Sequence, residues 1–127
     1  MIVVDASAAV LGLLNDGDSR QALGSEDVSV PHLADADMAH ALRAQVRRGR
    51  VDPGDAGRAL GRWARLGVRR HPAVGLLPRI WAVRDNVTAY DATYVALAEA
   101  LRCPLLTGDA RLAAAPGPTC SMLVVRN

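Results

Sequence analysis

The sequence predicts an α/β domain built on a mainly parallel central sheet. Two observations lead there. Short apolar runs (Ile2-Val3-Val4, Val28 to Val30, Pro104 to Leu106, Met122 to Val125) are separated by longer stretches that repeat at helical spacing. The first run is β-branched throughout, the pattern of a strand covered on both faces. The chain has 127 residues, half of them hydrophobic, which suits one core and a single domain over 1–127.

Ile2 to Val4 forms the first strand and stops at Asp5. Ser7 to Leu14 is an apolar helix that Asn15-Asp16-Gly17-Asp18 breaks. A short helix near Arg20 to Leu23 precedes the second strand, Val28 to Val30. Pro31 opens a long helix over about His32 to Arg48, and Gly49 ends it. Asp52-Pro53, an acid at the cap and proline at the first helical position, starts a helix that runs to about Leu66. Val68 to His71 reads as a strand, and Leu76 to Val83 as a helix with Pro78 in its first turn. Thr88 to Leu101 has the clearest helical pattern, with Ala92, Val95, Ala98 and Leu101 recurring every three residues. Pro104 to Leu106 is a strand, Asp109 to Ala114 a short helix, and Met122 to Val125 the last strand. Trp63 and Trp81 are expected in the core or between copies, and Tyr90 and Tyr94 in packing roles. Cys103 and Cys120 read as small buried hydrophobes.

Composition removes several function classes. All 15 basic residues are arginine, and lysine is absent. A P-loop ATPase, a Schiff-base enzyme and a phospho-receiver domain each need a lysine. An aspartate-nucleophile phosphatase, which usually needs a lysine and a second acid where this chain has Ser7, is disfavoured rather than removed. No G-x-G-x-x-G follows the first strand, so dinucleotide chemistry is also excluded. The two cysteines lack C-x-x-C spacing. No run reaches the roughly 18 apolar residues of a membrane helix. No cationic stretch precedes an apolar core at the N-terminus, and the expected location is cytoplasmic. Residues 43 to 84 carry eleven arginines against Asp52 and Asp55, net +9, while the rest of the chain is −7. A polyanion can read such segregation, although a solvated helix face has the same pattern.

Four aspartates stand at places where carboxylates converge. Asp5 follows the first strand, and Asp109 follows Leu105-Leu106-Thr107-Gly108; if the two strands are parallel neighbours, both acids emerge at one end of the sheet. Asp91 lies in the first turn of the Thr88 helix, and Asp37 one turn into the helix after Pro31. Taken singly, each has a local reading: Asp5 as a helix cap, Thr88-x-x-Asp91 as a capping box, Asp109 as a turn residue. Together they repel one another, and with no lysine to neutralise them a hard divalent cation, Mg²⁺ or Mn²⁺, suits the oxygen ligands. Such a site can lower the pKa of an attacking water and stabilise a leaving oxygen in phosphoryl chemistry.

Ile-Val-Val-Asp5-Ala-Ser7-Ala, Thr88-Ala-Tyr90-Asp91-Ala-Thr93-Tyr94-Val-Ala-Leu-Ala-Glu99 and Leu-Leu-Thr107-Gly-Asp109-Ala-Arg-Leu resemble the PIN domain, most closely the VapC toxins of VapBC toxin–antitoxin pairs. The resemblance extends over nearly the whole chain. It implies a PIN-like α/β/α sandwich and a metal-dependent endoribonuclease that hydrolyses RNA phosphodiesters with a metal-activated water. It also implies a homodimer and a cognate VapB-like antitoxin whose tail reaches the acidic pocket. Asp5, Asp91 and Asp109 carry over directly as catalytic metal ligands. The family's second acid, most often glutamate, lies about six residues after a proline; Asp37 takes that place here, one methylene shorter. Asp35 is its rival, and two residues apart on a helix only one of them can point inward. Ser7 and Thr107 match supporting hydroxyls, though either can also cap a helix or turn. Arg43, Arg47 and Arg48 are candidates for holding RNA. The other reading is a catalytically weak module on the same fold, acting through antitoxin and nucleic-acid binding.

Overall fold

In the computed structural model, which describes residues 1–127, five short strands lie side by side and all run the same way. In chain order the elements are β1 (Ile2–Val4), α1 (Ala6–Leu14), α2 (Asp18–Ser25), β2 (Val28–Pro31), α3 (Leu33–Arg47), α4 (Pro53–Arg65) and β3 (Arg69–His71). A 3₁₀ turn (Val74–Leu76) follows, then α5 (Leu77–Ala82), α6 (Ala89–Leu101), β4 (Leu105–Thr107), α7 (Ala110–Ala114) and β5 (Met122–Val124). The sheet order is β3-β2-β1-β4-β5. The chain therefore leaves β1 toward one edge and later returns to β4 on the other side. Right-handed crossovers then place α1 to α4 on one face and α5 and α6 on the other. The expected α/β/α sandwich is what forms, with the sheet wholly parallel.

The central strands are the buried ones. Val3, Val4, Val30 and Leu105 are essentially inaccessible, and they join α1, α3 and α6 in one continuous core. With no phenylalanine in the chain, Trp63 and Tyr94 supply the large aromatic volume. Edge strand β3 carries Arg69, Arg70 and His71, charges that protect an open edge from pairing with other chains. The helix starts follow the sequence signals. Asp52 accepts from the amides of Gly54 and Asp55 at the head of α4, and Thr88 accepts from the Asp91 amide at the head of α6. No helix is long and apolar enough to cross a membrane.

Three expectations need correction. Trp63 is buried, while the core half of the expectation fails for Trp81, which is 68% exposed with the Arg84 guanidinium stacked 4.5 Å from its ring centroid. Tyr94 is buried and Tyr90 is not. Cys103 and Cys120 are half-buried, each two residues before a strand, β4 and β5.

Candidate functional site

The order β3-β2-β1-β4-β5 puts the topological switch between β1 and β4, where an open parallel sheet forms a crevice beyond its carboxyl ends. Asp5 leaves β1 at that point and caps α1; Asp109 leaves β4 and caps α7. Asp37 comes from the second turn of α3, and Asp91 from the first turn of α6. All four line one cleft of about 220 Å³, with Ala6, Ser7, Ala41 and Tyr94. No lysine, arginine or histidine lines it.

Asp5 is the most constrained of the four. It is only 5% exposed. The Ser7 hydroxyl donates to its Oδ1 at 2.6 Å and the Ala8 amide at 3.0 Å, while the Thr107 hydroxyl donates to its Oδ2. Ser7 Oγ in turn accepts from the Gly108 amide at 2.8 Å, and Thr107 Oγ1 from the Asp109 amide at 3.0 Å. An ionised carboxylate can only accept, so both hydroxyls donate to Asp5 while each accepts from a backbone N–H group. Gly108 permits the approach: a Cβ there would meet Ser7 Oγ and Leu11 Cδ1 at 3.2 Å.

Burial nevertheless wins at Asp5. Its pKa is raised, because loss of solvent outweighs the hydroxyl and amide donors, and the Asp109 charge adds to the rise. Asp91 is raised as well, first by burial and then by the charges of Asp5, Asp109 and Asp37. Asp91 thus feels all three other acids. Tyr94, fully buried, donates to Asp37 Oδ2 at 2.8 Å, and burial together with that carboxylate pushes its pKa far up. No three acidic, histidine or cysteine side chains close into a ready-made metal-ligand set. The oxygens of Asp5 are directed at hydroxyls and an amide, one oxygen of Asp37 at Tyr94, and one of Asp109 at the amides of Arg111 and Leu112. The donor set itself, carboxylates with no cation among them, fits a hard divalent ion.

Asp35 points away from the cleft. Its carboxylate takes the Trp63 indole N–H at 2.8 Å and both guanidinium arms of Arg70 at 2.8 and 2.9 Å, and its pKa falls accordingly. The rivalry between the two α3 acids is resolved by these long-range partners. His40 is exposed and off the cleft, and His71 bonds Ser29 at 3.1 Å. Arg43, Arg47 and Arg48 are exposed and form none of the ion pairs. Arg48 is the residue that follows the last turn of α3, and Arg43 and Arg47, on the helix, are rotated off the Asp37–Ala41 stripe. The residue missed in the sequence is Tyr94 as a cleft wall. Its spacing from Asp91, three positions on one helix, was the available signal.

A second polar groove, about 480 Å³, lies at the far end of α1, lined by Arg20, Arg50, Arg58 and Arg62 among others. Its arginines are largely occupied with structure. Arg62 donates to the Leu13 carbonyl at 2.6 Å, and Arg20 to the Gly12 and Leu13 carbonyls at 2.9 and 3.1 Å. They supply the positive charge that the last turn of α1 lacks.

A wholly parallel α/β sandwich with its carboxylates gathered at the switch point defines a domain of acid-cleft chemistry. Residues 2–118 match the PIN domain model, and the chain belongs to that family. It is 53% identical over 125 residues to Ribonuclease VapC9 of Mycobacterium tuberculosis, covering 98% of each chain. It is 46% identical over 129 residues to Ribonuclease VapC1 of the same organism, covering 98% of this chain and 97% of that one. Among solved structures it is similar to PAE2754 from Pyrobaculum aerophilum, with a TM-score of 0.70 at 27% identity over 95% of this chain and 81% of that one.

Proposed function

We propose that this chain is an endoribonuclease, the toxin of a VapBC-type toxin–antitoxin pair, and that Asp5, Asp37, Asp91 and Asp109 carry its chemistry. The observation that carries the reading is the gathering of four carboxylates in one cleft without a cation. Such a cleft repels a phosphodiester unless its charge is offset. The VapC ribonucleases matched over nearly their whole length support the reaction class.

The four aspartates would hold Mg²⁺ or Mn²⁺, which supplies Lewis acidity toward phosphate oxygens and makes water a better nucleophile. The chain's own residues do the rest. Ser7, Thr107 and the Ala8 amide fix the orientation of Asp5, and Tyr94 fixes Asp37 from the opposite wall. Ser7 serves as a positioning hydroxyl, donating to Asp5 while accepting from Gly108. In this reading water is the nucleophile and no covalent enzyme intermediate forms. Exposed Arg43, Arg47 and Arg48 hold RNA phosphates outside the acidic cleft. A cognate antitoxin and a homodimeric assembly belong to the same reading, as does a cytoplasmic site of action.

The test is cleavage of a structured RNA pool by purified protein in Mg²⁺, Mn²⁺ or chelator, beside Asp5→Asn. Cutting that needs the ion and vanishes in the variant is expected. Cutting that survives chelation or the substitution would refute the assignment of the site.

A further inference from the structure

Tyr90 is 68% exposed, its hydroxyl makes no hydrogen bond, and it stands one residue before the cleft acid Asp91. The chain has four aromatic residues, and both tyrosines lie on α6. They are four residues apart, so they share one stripe of the helix, offset by about 40° and separated by about 6 Å along its axis. Tyr94 marks where that stripe faces, since its ring is buried and its hydroxyl meets Asp37 at the cleft wall.

The direction of α6 decides which end of the stripe is open. The helix delivers the chain to the start of β4, so its C-terminus lies at the amino end of the sheet and its N-terminus at the carboxyl end, where the cleft is. Helical side chains also lean toward the N-terminus. Tyr90 is therefore one turn nearer the carboxyl end of the sheet than Tyr94, next to the cleft-lining Asp91 and so at the rim of the acidic cleft. Packing within the chain does not explain the ring, which stays 68% exposed although Val87 and Ala92 on either side of it are buried.

We propose that Tyr90 is a base-stacking residue of the substrate site, on which an unpaired nucleobase beside the phosphodiester in the cleft lies face to face. The inference rests on the ribonuclease reading and deepens it. A cleft walled by carboxylates gains little affinity from phosphates, whereas a ring at its rim adds binding that charge repulsion does not diminish. A base paired within a duplex has both faces covered by its neighbours, so the contact selects single-stranded RNA. It is tolerant of base identity, since every base offers a π face.

The test uses the full chain carrying Asp5→Asn to prevent turnover, with Mg²⁺ present, and a fluorescently labelled single-stranded oligoadenylate of about 12 nucleotides as the probe. Anisotropy is read for Tyr90, Tyr90→Phe and Tyr90→Ala. Tyr90→Ala is expected to weaken binding by about five-fold or more, the size of one lost stacked base, while Tyr90→Phe binds like tyrosine. The ratio should hold as salt is raised from about 0.1 to about 0.5 M, while overall affinity falls with the arginine–phosphate contacts. On an oligomer of abasic nucleotides the Ala and Tyr proteins should bind alike.

Equal binding of oligoadenylate by the Ala and Tyr proteins overturns the inference. So does an equal loss on the abasic oligomer, or a Tyr90→Ala protein that light scattering finds in a smaller assembly, which would assign the ring to contact between copies. If the unsubstituted chain cuts RNA while Tyr90→Ala changes nothing, the stacking role fails and the ribonuclease stands. If the unsubstituted chain neither binds nor cuts RNA, both fail.

Discussion

Tyr94→Phe removes one oxygen and leaves the ring, so it isolates the bond between α6 and Asp37. The tyrosine is fully buried and its hydroxyl donates to Asp37 Oδ2 at 2.8 Å. A hydrogen bond to a charged acceptor contributes roughly 1.5–3 kcal/mol. Asp37 is only half-buried, and water will replace part of the bond, which places the expected loss near the lower end, about 1–2 kcal/mol. For a domain of 127 residues the entropy of unfolding makes that a fall of roughly 4–7 °C in melting temperature. The Asp37 carboxylate also becomes free to rotate, and a misplaced acid of this kind lowers kcat by roughly ten- to a hundred-fold with a smaller effect on KM. Thermal unfolding of the metal-free chain and RNA cleavage kinetics read the two effects separately. A variant that melts within about 1 °C of the parent refutes the energetic argument. One that melts lower yet cuts RNA at the parent rate refutes the positioning role and leaves Tyr94 as core packing.

Two further substitutions test the electrostatics. Asp91 has its folded pKa raised above the ordinary 3.8 by burial and three neighbouring acids. Its contribution to stability is therefore present below that value and lost as pH rises through the folded pKa. Metal-free Asp91→Asn should be more stable than the parent at neutral pH, with the gap closing as the pH is brought down toward 4; urea midpoints across that range decide it, and a gap that does not change with pH disproves the origin assigned to the shift. Arg62→Met keeps the aliphatic stem but removes the donor to the Leu13 carbonyl at the end of α1. It should lower stability by about 1 kcal/mol and leave RNA cleavage intact, because the contact lies at the opposite end of α1 from Asp5; loss of cleavage at unchanged stability would contradict that placement.

The strands, the helix starts and three of the cleft acids, Asp5, Asp91 and Asp109, were legible because each depends on local rules. Asp5 and Asp109 show why the local and functional readings could not be separated in the sequence. Each is a helix cap and a cleft acid at once, since a carboxylate has two oxygens and more lone pairs than a cap consumes. What was not legible depends on partners distant in the chain. Asp35 and Asp37 differ only in what faces them: Trp63 and Arg70, 28 and 35 positions away, claim the first, and Tyr94, 57 positions away, claims the second. Tyr90 and Tyr94 share a helical stripe, and nothing local to α6 says that one is buried and the other exposed. Trp81 is similar: its helix is six residues long, and periodicity over so short a span cannot say which face is covered.

The placement of the acids also explains how the fold tolerates them. Asp5 caps α1, Asp91 lies in the first turn of α6, and Asp37 in the second turn of α3, so three helices of 9, 13 and 15 residues direct their amino ends toward the cleft. Each contributes a partial positive charge of roughly one half, about +1.5 together, against four carboxylates. The offset is incomplete, leaving about two to three negative charges unbalanced; this charge adds to the burial that is the main cause of the raised Asp5 and Asp91 pKa values. An arginine or lysine in the lining would have completed the balance and quieted the site. The cleft instead keeps a residual charge close to what one divalent cation neutralises, and the Ser7–Thr107 network holds the most buried acid in its ionised orientation while it does so.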